Sequence, residues 1–395
     1  MKHGRVALLV QKIGPYHHAR FCEAARTEAL DVVEFRSDDP VYSWSTVKEQ
    51  GGYRRHRANA GNLDTILDSL RPRVVVCVGY SDPEIHRAMA WALRRKTPMV
   101  TCADSTALDE PRRWWKERLK AGVIAGFDAA LSAGSRSNCY LQALGMDPNR
   151  IFPAWDVVDN EHFEKGARAA RSDSARERIR LGLPERYFLC VARFVPKKNL
   201  SCLIEGYMRY AAEAGPARWP LVISGSGPLE PELRAQITSA NLTSAICLPG
   251  FLQYPDLPAC YGLAGAFVLP SLSDQWGLVV NEAMAAGLPV IVSERCGCVP
   301  ELVRPGENGF ILDPEDSMSI ATLLSRTAAL SSEQLAAMGN RSRELIAEHT
   351  LSHFSSGLWI AVRAATEVRR SRNRLFPRIM VSLLAWLRSR RTGLV

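Results

Sequence analysis

Pro270-Ser271-Leu272-Ser273-Asp274-Gln275-Trp276-Gly277-Leu278-Val279-Val280-Asn281-Glu282-Ala283-Met284-Ala285-Ala286-Gly287-Leu288-Pro289-Val290-Ile291-Val292 reads as a loop, a helix, a glycine stop and a strand. The apolar run Ala266–Leu269 supplies a strand just before it. Strand, loop, helix and strand in that order make the βαβ unit of a parallel sheet. Gly277 and Leu278 open the helix, so their amides and the positive end of its dipole are available to a phosphate. Two carboxylates bracket that end. Glu282, about one turn inside the helix, is placed to accept hydrogen bonds from vicinal hydroxyls such as those of a ribose. Asp274, in the preceding loop, can reach a sugar; it is equally suited to cap the helix that follows. Gly287 and Pro289 close the helix as a left-handed cap and a stop.

The alternation extends outward through the whole chain. In the second half, strands are expected at Phe188–Val191, Leu221–Ile223, Ile246–Leu248, Ala266–Leu269, Pro289–Val292 and Phe310–Leu312. In the first half they are expected at Val6–Val10, Val32–Phe35, Val74–Val78, Met99–Thr101 and Ala129–Leu131, with helices at His17–Ala29 and Pro83–Leu93. Short apolar runs separated by helix-length amphipathic segments specify parallel sheets covered on both faces. A chain of 395 residues exceeds what one core usually serves, so two domains, and a cleft between them, are expected. The stretch Glu164–Arg180, rich in Arg, Ala and Ser and poor in large apolar residues, reads as the connection, which sets the boundary near residue 170.

Open parallel sheets bind ligands beyond the carboxyl ends of their strands. After Phe188–Val191 comes Ala192-Arg193-Phe194-Val195-Pro196-Lys197-Lys198-Asn199, where Arg193 and Lys198 place two fixed cations on one loop. Such a pair suits a diphosphate. After Leu221–Ile223, the glycines of Ser224-Gly225-Ser226-Gly227-Pro228 let backbone approach a ligand, or simply make a tight turn before a helix. After Ile246–Leu248, Pro249-Gly250-Phe251 offers backbone groups to the edge of a base with Phe251 packed nearby, or is an ordinary loop.

Bulk properties narrow the class. With 47% hydrophobic and 23% charged residues the composition is that of a globular protein, not of a membrane bundle or a disordered chain. The ten cysteines show no C-x-x-C spacing; Cys296 and Cys298 flank Gly297 without a further ligand cluster, and both read as structural thiols with no metal site. Only five apolar residues, Val6 to Val10, follow the opening MKHGR, too few for a signal-peptide core, so a cytoplasmic location with reduced thiols is expected. The net charge of +9 is local: from Arg363 to Val395 nine arginines face one acid, Glu367, a net of +8, leaving +1 for the rest. That distribution argues against a nucleic-acid face and for a tail that meets an anionic layer. Within the tail Leu375, Phe376, Ile379, Met380, Leu383, Leu384 and Leu387 recur near helical period, with Trp386 beside them. The stripe suits an interfacial helix on an anionic membrane, or docking on the first domain.

The Asp274–Glu282 spacing resembles the E-x7-E signature of family 4 glycosyltransferases, with Asp274 standing where the family usually has Glu. Gly297-Cys298-Val299-Pro300-Glu301 and Gly306-Glu307-Asn308-Gly309-Phe310 resemble the family's closing motifs, so the resemblance covers nearly the whole second half and the first half only broadly. It implies an α/β chain of GT-B fold, two Rossmann-like doubly wound domains facing a central cleft. The acceptor-side domain would span 1–170 and the nucleotide-sugar-binding domain 171–352; helices over 353–395 would return to the first domain and end in the basic tail.

The resemblance further implies retaining transfer of a sugar from a nucleotide-diphosphate sugar to a hydroxyl of a polysaccharide, lipid-linked glycan or small glycoside. No metal or other cofactor is expected, and no D-x-D sequence occurs. A nucleotide-sugar epimerase, a phosphorylase or a silent scaffold on the same fold stays open. Carried over position by position, Arg193 and Lys198 hold the diphosphate, Glu282 holds the ribose, and Asp274, one methylene short, faces the donor sugar; these four are the catalytic candidates. Gly14, Gly225, Phe251, Gly277 and Leu278 complete the donor contacts. Gly14 lies in Gly14-Pro15-Tyr16-His17-His18, where the family has a loop over the diphosphate. His17 and His18 are candidates to touch the acceptor, or are solvated histidines at a helix start. Asp104, where the family often has His, is the acceptor-side polar candidate. The expected partners are the nucleotide sugar, a glycan or lipid-linked acceptor and an anionic membrane surface, but not nucleic acid. The location is cytoplasmic, or peripheral on the inner face of the membrane.

Overall fold

The computed structural model describes residues 4–36, 44–45, 47, 51–59 and 61–367. The Leu375–Leu387 stripe and most of the arginine-rich tail lie outside the described residues. The described chain forms two units. The first holds the residues up to Val157 together with those from Leu351 onward, and the second runs from Val158 to Thr350.

The first unit is built on a parallel sheet ordered β3-β2-β1-β4-β5-β6-β7. Its strands are β1 (Val6–Val10), β2 (Leu30–Glu34), β3 (Arg54–Arg57), β4 (Val74–Val78), β5 (Met99–Ala103), β6 (Ala129–Ser132) and β7 (Ile151–Pro153). Every residue of β1 is buried, which is why it reads as a continuous apolar run rather than an alternating one. Ala7 and Leu9 enter the core on one face of the sheet, and Val6, Leu8 and Val10 enter the core on the other. The second face is covered in part by the Leu351–Glu367 helix, which contributes Phe354, Leu358, Trp359, Ala361, Val362 and Ala365. Trp359 donates its indole N–H to the carbonyl of Ala24 at 3.2 Å, fixing this helix to the Pro15–Thr27 helix.

The second unit repeats the plan with the order β10-β9-β8-β11-β12-β13. Its strands are β8 (Phe188–Val191), β9 (Leu221–Ser224), β10 (Ile246–Gly250), β11 (Ala266–Leu269), β12 (Val290–Ser293) and β13 (Gly309–Leu312), all paired in parallel. Phe188, Cys190, Leu221, Ile223, Ala266 and Val268 point into one core, shared with Leu203, Ile204 and Tyr207 of the Leu200–Ala214 helix. Both orders are of the doubly wound type, so each sheet has a switch point where the winding reverses.

Three sequence expectations change. The stretch Glu164–Arg180 is not a linker: it lies in the helices Asn160–Ser172 and Ser174–Leu181. Its small residues are a packing surface. A Cβ on Gly262 would come within 2.6 Å of Ala167 Cα, and one on Gly166 within 2.5 Å of Pro258 Cβ, so the Asn160–Ser172 and Leu257–Gly262 helices touch backbone to backbone. The unit boundaries consequently fall at Val157/Val158 and Thr350/Leu351, not at 170/171 and 352/353. Finally, β3 was not expected, because Arg54-Arg55-His56-Arg57 has no apolar pattern. It pairs with β2 in parallel, and its side chains add an Arg55–Glu34 ion pair at 2.7 Å and a His56–Asp31 bond at 2.7 Å, both carboxylates being buried in β2. Truncating Trp359 to Ala removes the largest fully buried side chain, so it is expected to destabilise the first unit by about 3–5 kcal/mol. Urea unfolding measures this, and a loss below about 1 kcal/mol would contradict the packing described.

Candidate active site

In the second unit β8 and β11 are neighbours, yet the chain continues from β8 toward β9 on one side and from β11 toward β12 on the other. The loops leaving their carboxyl ends therefore diverge and leave a crevice. The Arg193–Lys198 loop leaves β8, and the Ser271–Gly277 loop leaves β11. They are joined by backbone and side-chain bonds. Leu272 N–H donates to the Lys197 carbonyl at 2.9 Å, and Asn199 Nδ2 donates to the carbonyls of Pro314 at 2.6 Å and Pro270 at 3.3 Å. Asn199 holds a left-handed φ of 57° between the loop and the next helix.

At the centre of this junction the Lys198 ammonium forms an ion pair with Asp274 Oδ2, with the two side chains only 12% and 13% exposed. Out of bulk water such a pair is screened less than one at the surface. Asp274 thus fixes where Lys198 stands and offsets its charge; Arg193 and Lys197, both partly exposed, are further cations on the same loop. The helix-cap alternative for Asp274 does not hold: the capping position of the Leu278–Ala285 helix is Gly277, at φ 101°. The first turn of a helix leaves its amides without intrahelical partners, and Leu278 and Val279 there are only partly buried. From the other side, Gly297 N–H donates to the Asp274 carbonyl at 2.8 Å and Cys298 N–H to the Trp276 carbonyl at 3.1 Å. Gly297 is obligatory for this contact, since a Cβ there would lie 1.8 Å from the Gln275 carbonyl oxygen. Cys296 and Cys298 are buried and form no disulfide.

The glycines after β9 act differently from the expectation. Gly225 (φ 151°) faces the Ala192 carbonyl oxygen, 1.8 Å from where a Cβ would sit, and Gly227 (φ 156°) faces the backbone of Phe194. They let the β9 loop close on the β8 loop. Phe194 N–H to the Ser226 carbonyl at 2.8 Å and Gly225 N–H to the Gly250 carbonyl at 2.9 Å complete the seam. Phe251, just beyond β10, is partly exposed next to it. Glu282 also differs: it is fully buried, and Tyr261 donates its hydroxyl to Oε2 at 2.7 Å. In this state its carboxylate presents no surface to a ligand. Sequence reasoning missed Tyr261, 21 positions away and on another helix, because no local pattern links the two residues.

Among the described residues no group of three or more His, Cys, Asp or Glu side chains is arranged to hold a metal ion, and no helix is long and apolar enough to cross a membrane.

In the first unit Gly14 caps the Pro15–Thr27 helix at the carboxyl end of β1, and a Cβ there would meet only Trp44, at 4.0 Å. His18 is bonded to the Tyr53 hydroxyl at 2.9 Å. His17 stacks on Phe21 with ring centres 5.7 Å apart and lies 6.1 Å from Trp155. His17 keeps some exposure, yet desolvation, and then the charge of Arg20, push its imidazole down to about 3. Arg20 is itself buried: it donates to the Trp155 carbonyl at 2.9 Å, lies over the Trp155 ring at 4.5 Å and reaches Asp156 at 3.7 Å. Partly exposed Asp104, just after β5, also favours the charge on Arg20. His17 is expected to stay neutral in an NMR titration from about pH 8 to pH 5. Because the unfolded chain takes up this proton first, near 6.5, stability should fall as pH drops from 6.5 toward 3. A His17 midpoint near 6.5 would contradict this desolvation.

Comparison with known proteins agrees with this geometry. Residues 172–345 match the family described as Glycosyl transferases group 1. The D-inositol 3-phosphate glycosyltransferase of Thermomonospora curvata is 30% identical over 215 residues, 52% of this chain and 49% of that protein. The amylovoran biosynthesis glycosyltransferase AmsK of Erwinia amylovora is 33% identical over 144 residues, 35% of each. The chain spans about half, or less, of the length of these relatives. The crystal structure of Anabaena Alr3699/HepE in complex with UDP and glucose superposes with a TM-score of 0.73 at 16% identity, covering 91% of this chain and 100% of that one. The fold is therefore the expected GT-B fold of two parallel α/β units, and residues 172–345 are the part of the chain that resembles the group 1 glycosyl transferases.

Proposed function

We propose that the chain is a retaining glycosyltransferase that moves a sugar from a nucleotide-diphosphate sugar to a hydroxyl of a glycan or lipid-linked acceptor. The observation that carries this reading is the junction of the β8 and β11 loops, where Arg193, Lys198 and the start of the Leu278–Ala285 helix lie at one switch point. A nucleoside diphosphate as partner is supported by the fold neighbour whose crystal structure holds UDP and glucose.

When the bond from the anomeric carbon to the diphosphate breaks, negative charge develops on the leaving phosphate oxygen. In a retaining transfer the acceptor hydroxyl enters on the same face. Donors aimed at that oxygen beforehand lower the barrier without reorganising during the reaction. Arg193 and the Gly277 and Leu278 amides supply such donors, and Lys198 supplies another, with Asp274 holding it in position and facing the donor sugar. Glu282, anchored through Oε2 by Tyr261, offers its other oxygen to the ribose; that contact requires a local opening at the helix when the nucleotide binds. Asp104 is the acceptor-side polar group.

Arg193→Ala and Lys198→Ala are each expected to lower kcat about 10²–10³-fold with circular dichroism unchanged. Wild-type turnover in either folded variant would remove the site. Because side-chain cations and helix amides are assigned the charge-stabilising role, transfer should persist in EDTA; a strict Mn²⁺ or Mg²⁺ requirement would contradict this.

A further inference from the structure

At the opposite edge of the second sheet, where the chain leads into β9, β11 and β12, lies a cavity of about 900 Å³. Trp219, Gly265 and Pro289, which lead into those three strands, are part of its wall. Arg171, Arg178, Arg186, Arg218 and Arg343 all line it, against a single carboxylate, Glu185.

Several other arginines of this unit are matched with acids: Arg180 with Glu177 and Asp256, Arg295 with Glu315, and Arg341 with Glu307 and Glu344. Among the described residues, the five cavity arginines make no ion pair of this kind. Their bonds go to neutral acceptors. Arg171 donates to the Ala286 carbonyl at 2.7 Å, Arg218 to the Gly215 carbonyl at 2.9 Å, and Arg178 to the carbonyls of Pro184 and of Leu263, the latter at 3.4 Å. Arg343 donates to Asn340, and Arg186 reaches the Ser332 hydroxyl at 3.4 Å while lying over the Trp219 ring at 5.1 Å. A guanidinium carries five N–H donors, so one or two bonds leave most of that capacity unused.

One structural role accounts for part of the cluster. Arg171 and the Arg343 head, which lies against Gly287, sit at the carboxyl end of the Leu278–Ala285 helix, where the dipole is negative. Arg178, on the Leu263 carbonyl that ends the Leu257–Gly262 helix, and Arg218, on the Gly215 carbonyl that ends the Leu200–Ala214 helix, share that role, and Arg186 covers Trp219; each keeps N–H donors beyond these bonds. Burial and the charge of Arg343 both lower Arg171 from its ordinary value, as expected for like charges brought together without a counter-ion.

We propose that this cavity is a binding site for a multivalent phosphate-class anion, distinct from the donor loops and lying at the other end of the same strands. The shared chemistry is the phosphate oxyanion, which guanidinium forks bind in bidentate fashion. Its source is either a soluble di- or polyphosphate or a phospholipid headgroup.

The test uses the full chain and inorganic pyrophosphate in isothermal titration calorimetry. Wild type, Arg186→Gln/Arg218→Gln, Arg171→Gln and Arg193→Ala are compared, with thermal unfolding confirming that each is folded. The expected result is a class of sites weakened about tenfold or more in the two cavity variants and retained in Arg193→Ala, which assigns a soluble source. A parallel arm sediments the same proteins with phosphatidylglycerol and phosphatidylcholine vesicles. Loss of binding to the anionic vesicles alone, in the cavity variants, assigns the headgroup. If the cavity variants match wild type in both arms, or if pyrophosphate binding disappears only with Arg193→Ala, the proposal is overturned. The second of those results leaves the donor site standing.

Discussion

The ion pair between Lys198 and Asp274 is the contact on which the second unit's site depends. It ties the loop leaving β8 to the loop leaving β11, and those strands are the pair between which the winding of the sheet reverses. Together with the bonds from Leu272 to Lys197 and from Asn199 to Pro270, it holds these two loops against each other across the point where the winding reverses. The pair also sets the electrostatics. Asp274 offsets the charge of Lys198.

Around this pair, the site is assembled from backbone at distances that side chains would forbid. Gly225 and Gly227 close the β9 loop on the β8 loop, and Gly297 presses against Gln275 from beyond β12. The same device recurs away from the site, where Gly166 and Gly262 let two helices meet. Gly225, Gly227 and Gly297 let the loops that carry Arg193, Lys198 and Asp274 pack at close range. Preorganisation of this kind is what an electrostatic mechanism needs, since donors that must move into place lose much of their advantage.

What the sequence disclosed follows from which forces are local. Strands such as Val6–Val10, Val74–Val78, Phe188–Val191 and Ala266–Leu269 were readable to the residue because they are buried on both faces and therefore continuously apolar. The helix opened by Gly277 was readable from its punctuation. By contrast β3 pairs with β2 and bonds through Arg55 and His56 to residues more than twenty positions earlier, and Arg and His carry no strand signal. The Glu164–Arg180 stretch was misread because alanine and glycine packed at close range look, in composition, like the residues of a linker. Arg193, Lys198 and Asp274 were identifiable by type and position. That Asp274 pairs with Lys198, or that Tyr261 holds a buried Glu282, depends on tertiary neighbours that no spacing encodes. The five cavity arginines come from separate segments, so their convergence was invisible for the same reason.

The most direct measurement is a crystal structure of the chain with an intact nucleotide-diphosphate sugar bound. The expected density places the diphosphate oxygens about 2.7–3.1 Å from the Arg193 guanidinium, the Lys198 ammonium and the amides of Gly277 and Leu278. A diphosphate bound elsewhere, with the Lys198–Asp274 junction untouched, would contradict the assignment of this site.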